Sequence, residues 1–273
     1  MTMQLGEFGI WQMLRNTTPE MAREAESLGY GAVWVGGSPK GDLRLVEELI
    51  DATESIPVVT GIVNMWREDA TEVAASYHRI ASAHPDRLVL GVGIGHPEAT
   101  EEYRDPVDKI GEYLDQLDAA GVPRQRMVLA ALGPKVLRIA ADRTAGAHPY
   151  LTTPRHTAYA RQVIGDGPLL APDQKVVLDT DPGHAREVGR SFVESYLSRV
   201  NYRRNLMREG WAEPDIAGGG SDALIDALFL HGTAEGVAAG LRAHLDAGAD
   251  HVGVHVVGDD RMAGYRKLAE VLI

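Results

Sequence analysis

Short apolar runs alternate with amphipathic segments from one end of the chain to the other. The runs at 8–12, 32–35, 57–64, 87–95, 127–131, 147–152, 175–179 and 252–257 predict strands. Between them, apolar residues at helical spacing predict helices over 19–28, 42–53, 70–83, 107–120, 135–143 and 154–164. A long helical tract is expected over 183–208, with further pieces at 222–229, 234–247 and 262–272. The punctuation agrees. Thr17 or Thr18 caps a helix that Pro19 opens, Pro154 opens another, and Gly29 and Gly121 are placed as stops. Eight β–α steps in this order predict parallel strands covered by helices, which closes most simply as a (β/α)8 TIM barrel. An open doubly wound sheet is the alternative. We expect a single domain over 1–273. A helical insertion at about 183–230 would lie between strands seven and eight, with Gly218-Gly219-Gly220-Ser221 as a flexible loop inside it.

Composition narrows the function classes. A length of 273 residues suits one barrel, and a net charge of −12 with no basic run argues against a nucleic-acid partner. The absence of cysteine removes disulfides and thiolate chemistry. The first residues, MTMQLGEFGIWQ, have neither the basic nor the apolar stretch of a leader, and no apolar run approaches the ~18 residues of a membrane span. The expected setting is the cytoplasm, with no membrane partner.

In a barrel the chemistry collects after the strands. The most informative run there is LVLGVGIGH, residues 88–96. Gly91, Gly93 and Gly95 share one strand face, which leaves room for a flat, bulky group or for a close backbone approach. His96 follows directly. The alternating glycines lack the turn and the offset of a dinucleotide fingerprint. The strand ends as a set are short of carboxylates. They offer no Asp/Glu pair for glycoside chemistry and no His/carboxylate cluster for a metal. They are rich in glycine, aromatics and hydroxyls, which suits a planar organic cofactor. Trp11 and Trp66 are candidates for the substrate pocket, with burial in the core as the plainer reading. Leu132-Gly133-Pro134 and Thr152-Thr153-Pro154-Arg155 each place helix N-terminal N–H groups after a strand. Together they read as a phosphate cradle. The plainer reading is two ordinary helix starts. Asp179 and Asp181 are expected to cap the helix that follows them.

LVLGVGIGH, AALGPKVLRIAADRTAGAHPYLTTP and the closing HLDAGADHVGVHVV resemble the bacterial luciferase-like superfamily. Within it they are most similar to oxidoreductases that use the deazaflavin coenzyme F420. The likeness runs over nearly the whole chain and is weakest around 183–229. It implies a luciferase-like barrel, commonly a homodimer, with the cofactor ring in the C-terminal mouth. It also implies a bulge with a non-prolyl cis peptide near Ile62-Val63, with Asn64 beside it and Gly95 nearby. The cofactor phosphate would rest on Ala131, Leu132, Gly133 and Pro134, and on Thr152 and Thr153. Arg155, Lys135 and Arg67 are candidates for the acidic tail. Several relatives carry an acid/base His after strand two, where this chain has Gly36-Gly37-Ser38. Relatives that reduce sugar phosphates carry a carboxylate where His96 stands. The expectation is therefore hydride transfer between F420 and a small organic substrate, with His96 as the proton partner. An FMN-dependent monooxygenase on the same barrel is one alternative, and a cofactor-free barrel with a binding role is another.

Overall fold

The computed structural model describes residues 4–95 and 105–273. Its strands, all in parallel pairings, are β1 (Phe8–Met13), β2 (Val33–Gly36), β3 (Val58–Gly61), β4 (Val63–Asn64), β5 (Leu88–Gly93), β6 (Met127–Leu129), β7 (Gly146–Ala147), β8 (Leu169–Leu170), β9 (Asp173–Val177), β10 (Phe229–His231) and β11 (Val252–Val256). The pairing closes on itself. β1 lies beside both β2 and β11, and β11 lies beside β9. β8 pairs with β7, and the row continues through Ala171 N to Ala147 O at 2.9 Å and Asp173 N to Pro149 O at 3.1 Å. Counting 169–177 as one strand broken at Pro172, eight strands ring the barrel, and β10 adds to the upper edge of β9.

Side chains alternate across the ring as period two requires. Val33, Val35, Val58, Leu90 and Val254 pack outward into the main core beneath the helices. Trp11, Trp34, Val59, Val89 and Val128 form the inner core. The helices α1 (Pro19–Ser27), α2 (Arg44–Asp51), α3 (Ala70–Ala83), α4 (Pro106–Ala119), α5 (Pro134–Arg143) and α6 (Pro154–Ile164) follow the first six strand positions. Thr18 caps α1 by accepting from Met21 N, and Asp181 caps α7 (Pro182–Leu197) by accepting from Gly183 N and His184 N.

The expected helix over 183–208 is two helices, α7 and α8 (Val200–Arg208), which part at Ser198-Arg199 with neither Gly nor Pro at the break. The short α9 (Glu213–Ile216) and α10 (Asp222–Leu228) then lead into β10, a strand where the sequence predicted the end of a helix. α11 (Ala234–Asp246) and α12 (Arg261–Leu272) flank β11. Strand six is Gly146–Ala147 rather than 147–152, because Pro149 and a left-handed Leu151 (φ 56°) turn the chain out of the ring. The eighth β–α step holds as predicted. Leu169–Leu170 extends strand seven backward past a proline that masked it. No helix among the described residues is long and apolar enough to cross a membrane.

Candidate active site

A cavity of about 480 Å3 opens at the C-terminal ends of β1 to β7. One wall is a bulge in strand three. The ladder between β3 and β5 stops after Val59↔Val89 and resumes between β4 and β5 at Val63↔Val92. In the gap the Thr60 side chain replaces it, donating to Gly91 O at 2.7 Å and accepting from Gly91 N at 2.8 Å. The cis peptide lies here, at Gly61-Ile62, one bond before the expected position. A Cβ on Gly91 would collide with the Thr60 carbonyl oxygen, and one on Gly93 would lie 2.9 Å from Ala130 Cβ and from Ile62 Cγ1. Strand-five glycines therefore let the bulge approach; they do not clear a floor for a ligand.

The floor is Trp11, which is 1% exposed. A Cβ on Gly36 would sit inside its ring, and Cβ atoms on Gly61 and Gly253 would lie 3.0 and 3.3 Å from it. Glycines on three other strands make room for one indole across the barrel. Its Nε1–H donates to His148 Nε2 at 3.3 Å, and His148 Nδ1–H donates to Ala171 O at 2.6 Å. These partners fix a neutral imidazole, and burial pushes its pKa down. Below, Trp34 stacks on His148 at 4.2 Å and donates to His251 Nε2 at 2.9 Å.

A buried ion pair that the sequence reading did not single out lies alongside. Lys175 and Asp173, on one face of β9, are bonded to each other and essentially unexposed. Burial pushes the Lys175 pKa down, and Asp173 pulls it up. The ammonium stands 3.5 Å from the centroid of the Tyr150 ring, and Asp173 Oδ1 accepts from Leu151 N at 2.9 Å. The pair thus holds the turn that delivers Tyr150 to the cavity wall. Two charged residues at i and i+2 inside Asp173-Gln174-Lys175-Val176-Val177 were the available signal.

The two helix starts read as a cradle differ. Gly133, the N-cap of α5, lines the cavity; no side chain caps this end, and the atom nearest to a Cβ there would be Arg208 Nη2 at 3.8 Å. Thr153, the N-cap of α6, accepts from His156 N and donates to Glu209 Oε2 at 2.7 Å. Glu209 Oε1 accepts from Asn205 Nδ2 at 2.8 Å. The protein's own carboxylate therefore fills that end. Burial pushes Glu209 up to about 7, against the hydrogen bond from Thr153, the charges of Arg155 and Arg208, and the bond from Asn205.

Of the residues singled out from sequence, Trp11, Ile62, Asn64, Gly95, Ala131, Leu132 and Gly133 line the cavity together with Arg67. Val63 does not; it packs into the outer core. Pro134 is the first residue of α5, behind the lining. Trp66 lies under Lys109, whose ammonium is 5.3 Å from its ring centroid, because the chain leaves the bulge toward α3 and α4. Thr152 is buried with no hydrogen-bond partner for its hydroxyl among the described residues, Thr153 serves Glu209, and Arg155 packs against Gly210; none of the three lines the cavity. Lys135 is also outside it. His96 lies outside the described residues. Sequence reading missed Arg199, Arg204 and Arg208, which reach the cavity from α8 and its N-cap. With Arg67 they give a wall of four arginines and, among the described lining residues, no carboxylate.

Residues 12–120 match the luciferase-like monooxygenase family model. A search of curated proteins finds no significant match. Among solved structures, an F420-dependent secondary alcohol dehydrogenase in complex with an F420-acetone adduct aligns with TM-score 0.78 at 15% identity, covering 99% of this chain and 98% of that one. The coenzyme F420-dependent tetrahydromethanopterin reductase from Methanopyrus kandleri aligns with TM-score 0.70 at 15% identity over 98% of both chains. The oxygenating constituent of the 3,6-diketocamphane monooxygenase from Pseudomonas putida, in complex with FMN, aligns with TM-score 0.71 at 15% identity, covering 96% and 95%. At these identities the likeness establishes the fold. The chain thus has the TIM-type barrel fold of these structures, and its residues 12–120 match the luciferase-like monooxygenase family model.

Proposed function

We propose that the protein is an oxidoreductase that holds coenzyme F420 in the arginine-walled cavity and exchanges a hydride between it and a small organic substrate. The observation that carries this reading is the charge of the wall. A chain of net charge −12 brings Arg67, Arg199, Arg204 and Arg208 to one cavity and keeps carboxylates out of its described lining. Such a wall suits a ligand bearing a phosphate and further acidic groups. FMN bears the phosphate without the acidic tail. The open N-terminus of α5 presents backbone N–H groups beside Arg208, where a phosphate would be held. Bound there, the deazaflavin would supply the hydride chemistry. Trp11 and the bulge at Gly61-Ile62 give the floor and one wall, and Tyr150 and Tyr196 close the side toward α7. His148 has both ring nitrogens engaged and does not serve as a proton carrier. His96 is the proposed proton partner, on the sequence argument alone.

Fluorescence titration with F420 and with FMN tests the cofactor. Micromolar binding of F420 that weakens with salt is expected; binding of FMN alone would overturn the assignment. His96→Ala should lower turnover by ~10²–10⁴ with cofactor affinity unchanged. Unaltered turnover would remove His96 from the chemistry.

A further inference from the structure

A second cavity, of about 980 Å3, opens at the same end of the barrel between β1, β9, β11, α7 and α12. It shares Met13 and Tyr196 with the first, so these two side chains are the partition between the chambers. Its walls carry an apolar strip that includes Val177, Val188, Phe192 and Val256. Its charges divide into engaged and unengaged groups. Asp179 accepts from Asp181 N and from His184 Nδ1, and Asp260 caps α12 by accepting from Ala263 N. Arg15, Arg261 and Lys267 line the same space and have no ion-pair or hydrogen-bond partner among the described residues.

Unpaired cations are unexpected in this chain. It carries 39 acidic against 27 basic side chains, and carboxylates pair with many of its other arginines, including Arg79, Arg143, Arg161 and Arg186. His255 is buried between the rings of Trp11 and Phe192 at centroid distances of 4.5 and 5.3 Å, and its pKa is pushed well down by burial first and then by the charges of Lys175, Arg261 and Arg15. These two arginines arrive from different elements, one after β1 and one opening α12, and line the same chamber.

We infer that this second chamber is a binding site for an organic anion, with a carboxylate or phosphate head held by Arg15 and Arg261 and its body lying along Phe192 and Val256 toward Tyr196. Glu187 and Asp259 also line the chamber and make no ion pair among the described residues. They are acceptors for hydroxyl or amino groups beyond the anionic head, so a hydroxylated or aminated acid fits better than a plain fatty chain. Taken with the proposed function, on which this one step rests, the occupant is the substrate, which would meet the cofactor across Met13 and Tyr196. Anion binding itself requires no cofactor.

Calorimetry with inorganic phosphate and, separately, acetate tests the site and distinguishes the two head groups. The protein titrated is the Arg204→Ala/Arg208→Ala variant, in which the first cavity has lost two of its four arginines. Saturable binding of at least one anion is expected. It should weaken about tenfold or more when Arg15→Ala and Arg261→Ala are added, as the loss of charge-assisted contacts requires. Lys267→Ala alone should weaken it less. No binding of either anion, or binding indifferent to Arg15 and Arg261, overturns the inference. Failure of the cofactor reading would show instead as absent F420 binding with the anion result intact.

Discussion

The N-termini of α5 and α6 look alike in sequence and are opposite in structure. Both follow a strand, and both begin with proline after a small or hydroxylated cap. The α5 end stays open toward an arginine in the cavity, while the α6 end is closed by Glu209. A helix start is a potential anion site wherever its N–H groups are free. What decides its use is the residue that another element sends there. Here α8 sends a cation to one start, and the residue just after it sends a carboxyl group to the other.

Changing the charges supplied from α8 should break the comparison most strongly. Arg204→Ala/Arg208→Ala is expected to weaken F420 binding by about 10–100-fold, as the loss of two charged contacts implies, whereas Arg155→Ala should change it less than about threefold. Fluorescence titration of the three proteins decides this. Glu209→Gln sharpens the other side. The folded-state pKa of about 7 lies above the ordinary carboxylate value, so the folded protein binds the extra proton. This group's contribution is fully present below pH ~4.5 and is lost as pH rises through about 7. The glutamine variant should match the wild type near pH ~5 and exceed it by about 2 kcal/mol at pH ~8, read by urea unfolding. Thr153→Val removes the α6 cap and should cost about 1 kcal/mol with F420 affinity unchanged. The smallest effect is expected from Gly133→Ala. A Cβ there meets nothing closer than 3.8 Å, so stability should stay within about 0.5 kcal/mol.

Much of the ring was legible because strand and helix periods differ and because proline, glycine and cap residues mark the boundaries. Thr18, Asp181 and the eight β–α steps are of this kind. The misreadings came where a local signal was weak or pointed elsewhere. Leu169–Leu170 is too short to show a period, and Phe229–His231 continues a helix without a breaker. The site was harder. The glycines of LVLGVGIGH were visible as a set, but their role depends on the neighbouring strand, which brings the Thr60 carbonyl against Gly91. Likewise Gly36, Gly61 and Gly253 are scattered in sequence and become one feature only when Trp11 crosses the barrel among them. The arginines of α8 were hidden because a solvated charged helix face and a cavity wall have the same pattern.

The partition at Pro172 has an architectural result. Because strand seven is split, its lower half completes the ring with β7 while its upper half is free to take β10 as a neighbour. The helices from α7 to α10 hang between β9 and β10, both anchored to that upper half. Three of the four arginines of the cationic wall are therefore mounted on the barrel like an exchangeable cover. A different cover on the same two attachment points would present another charge pattern to an unchanged floor, and ligand preference could be rewritten without disturbing the strands that carry the indole.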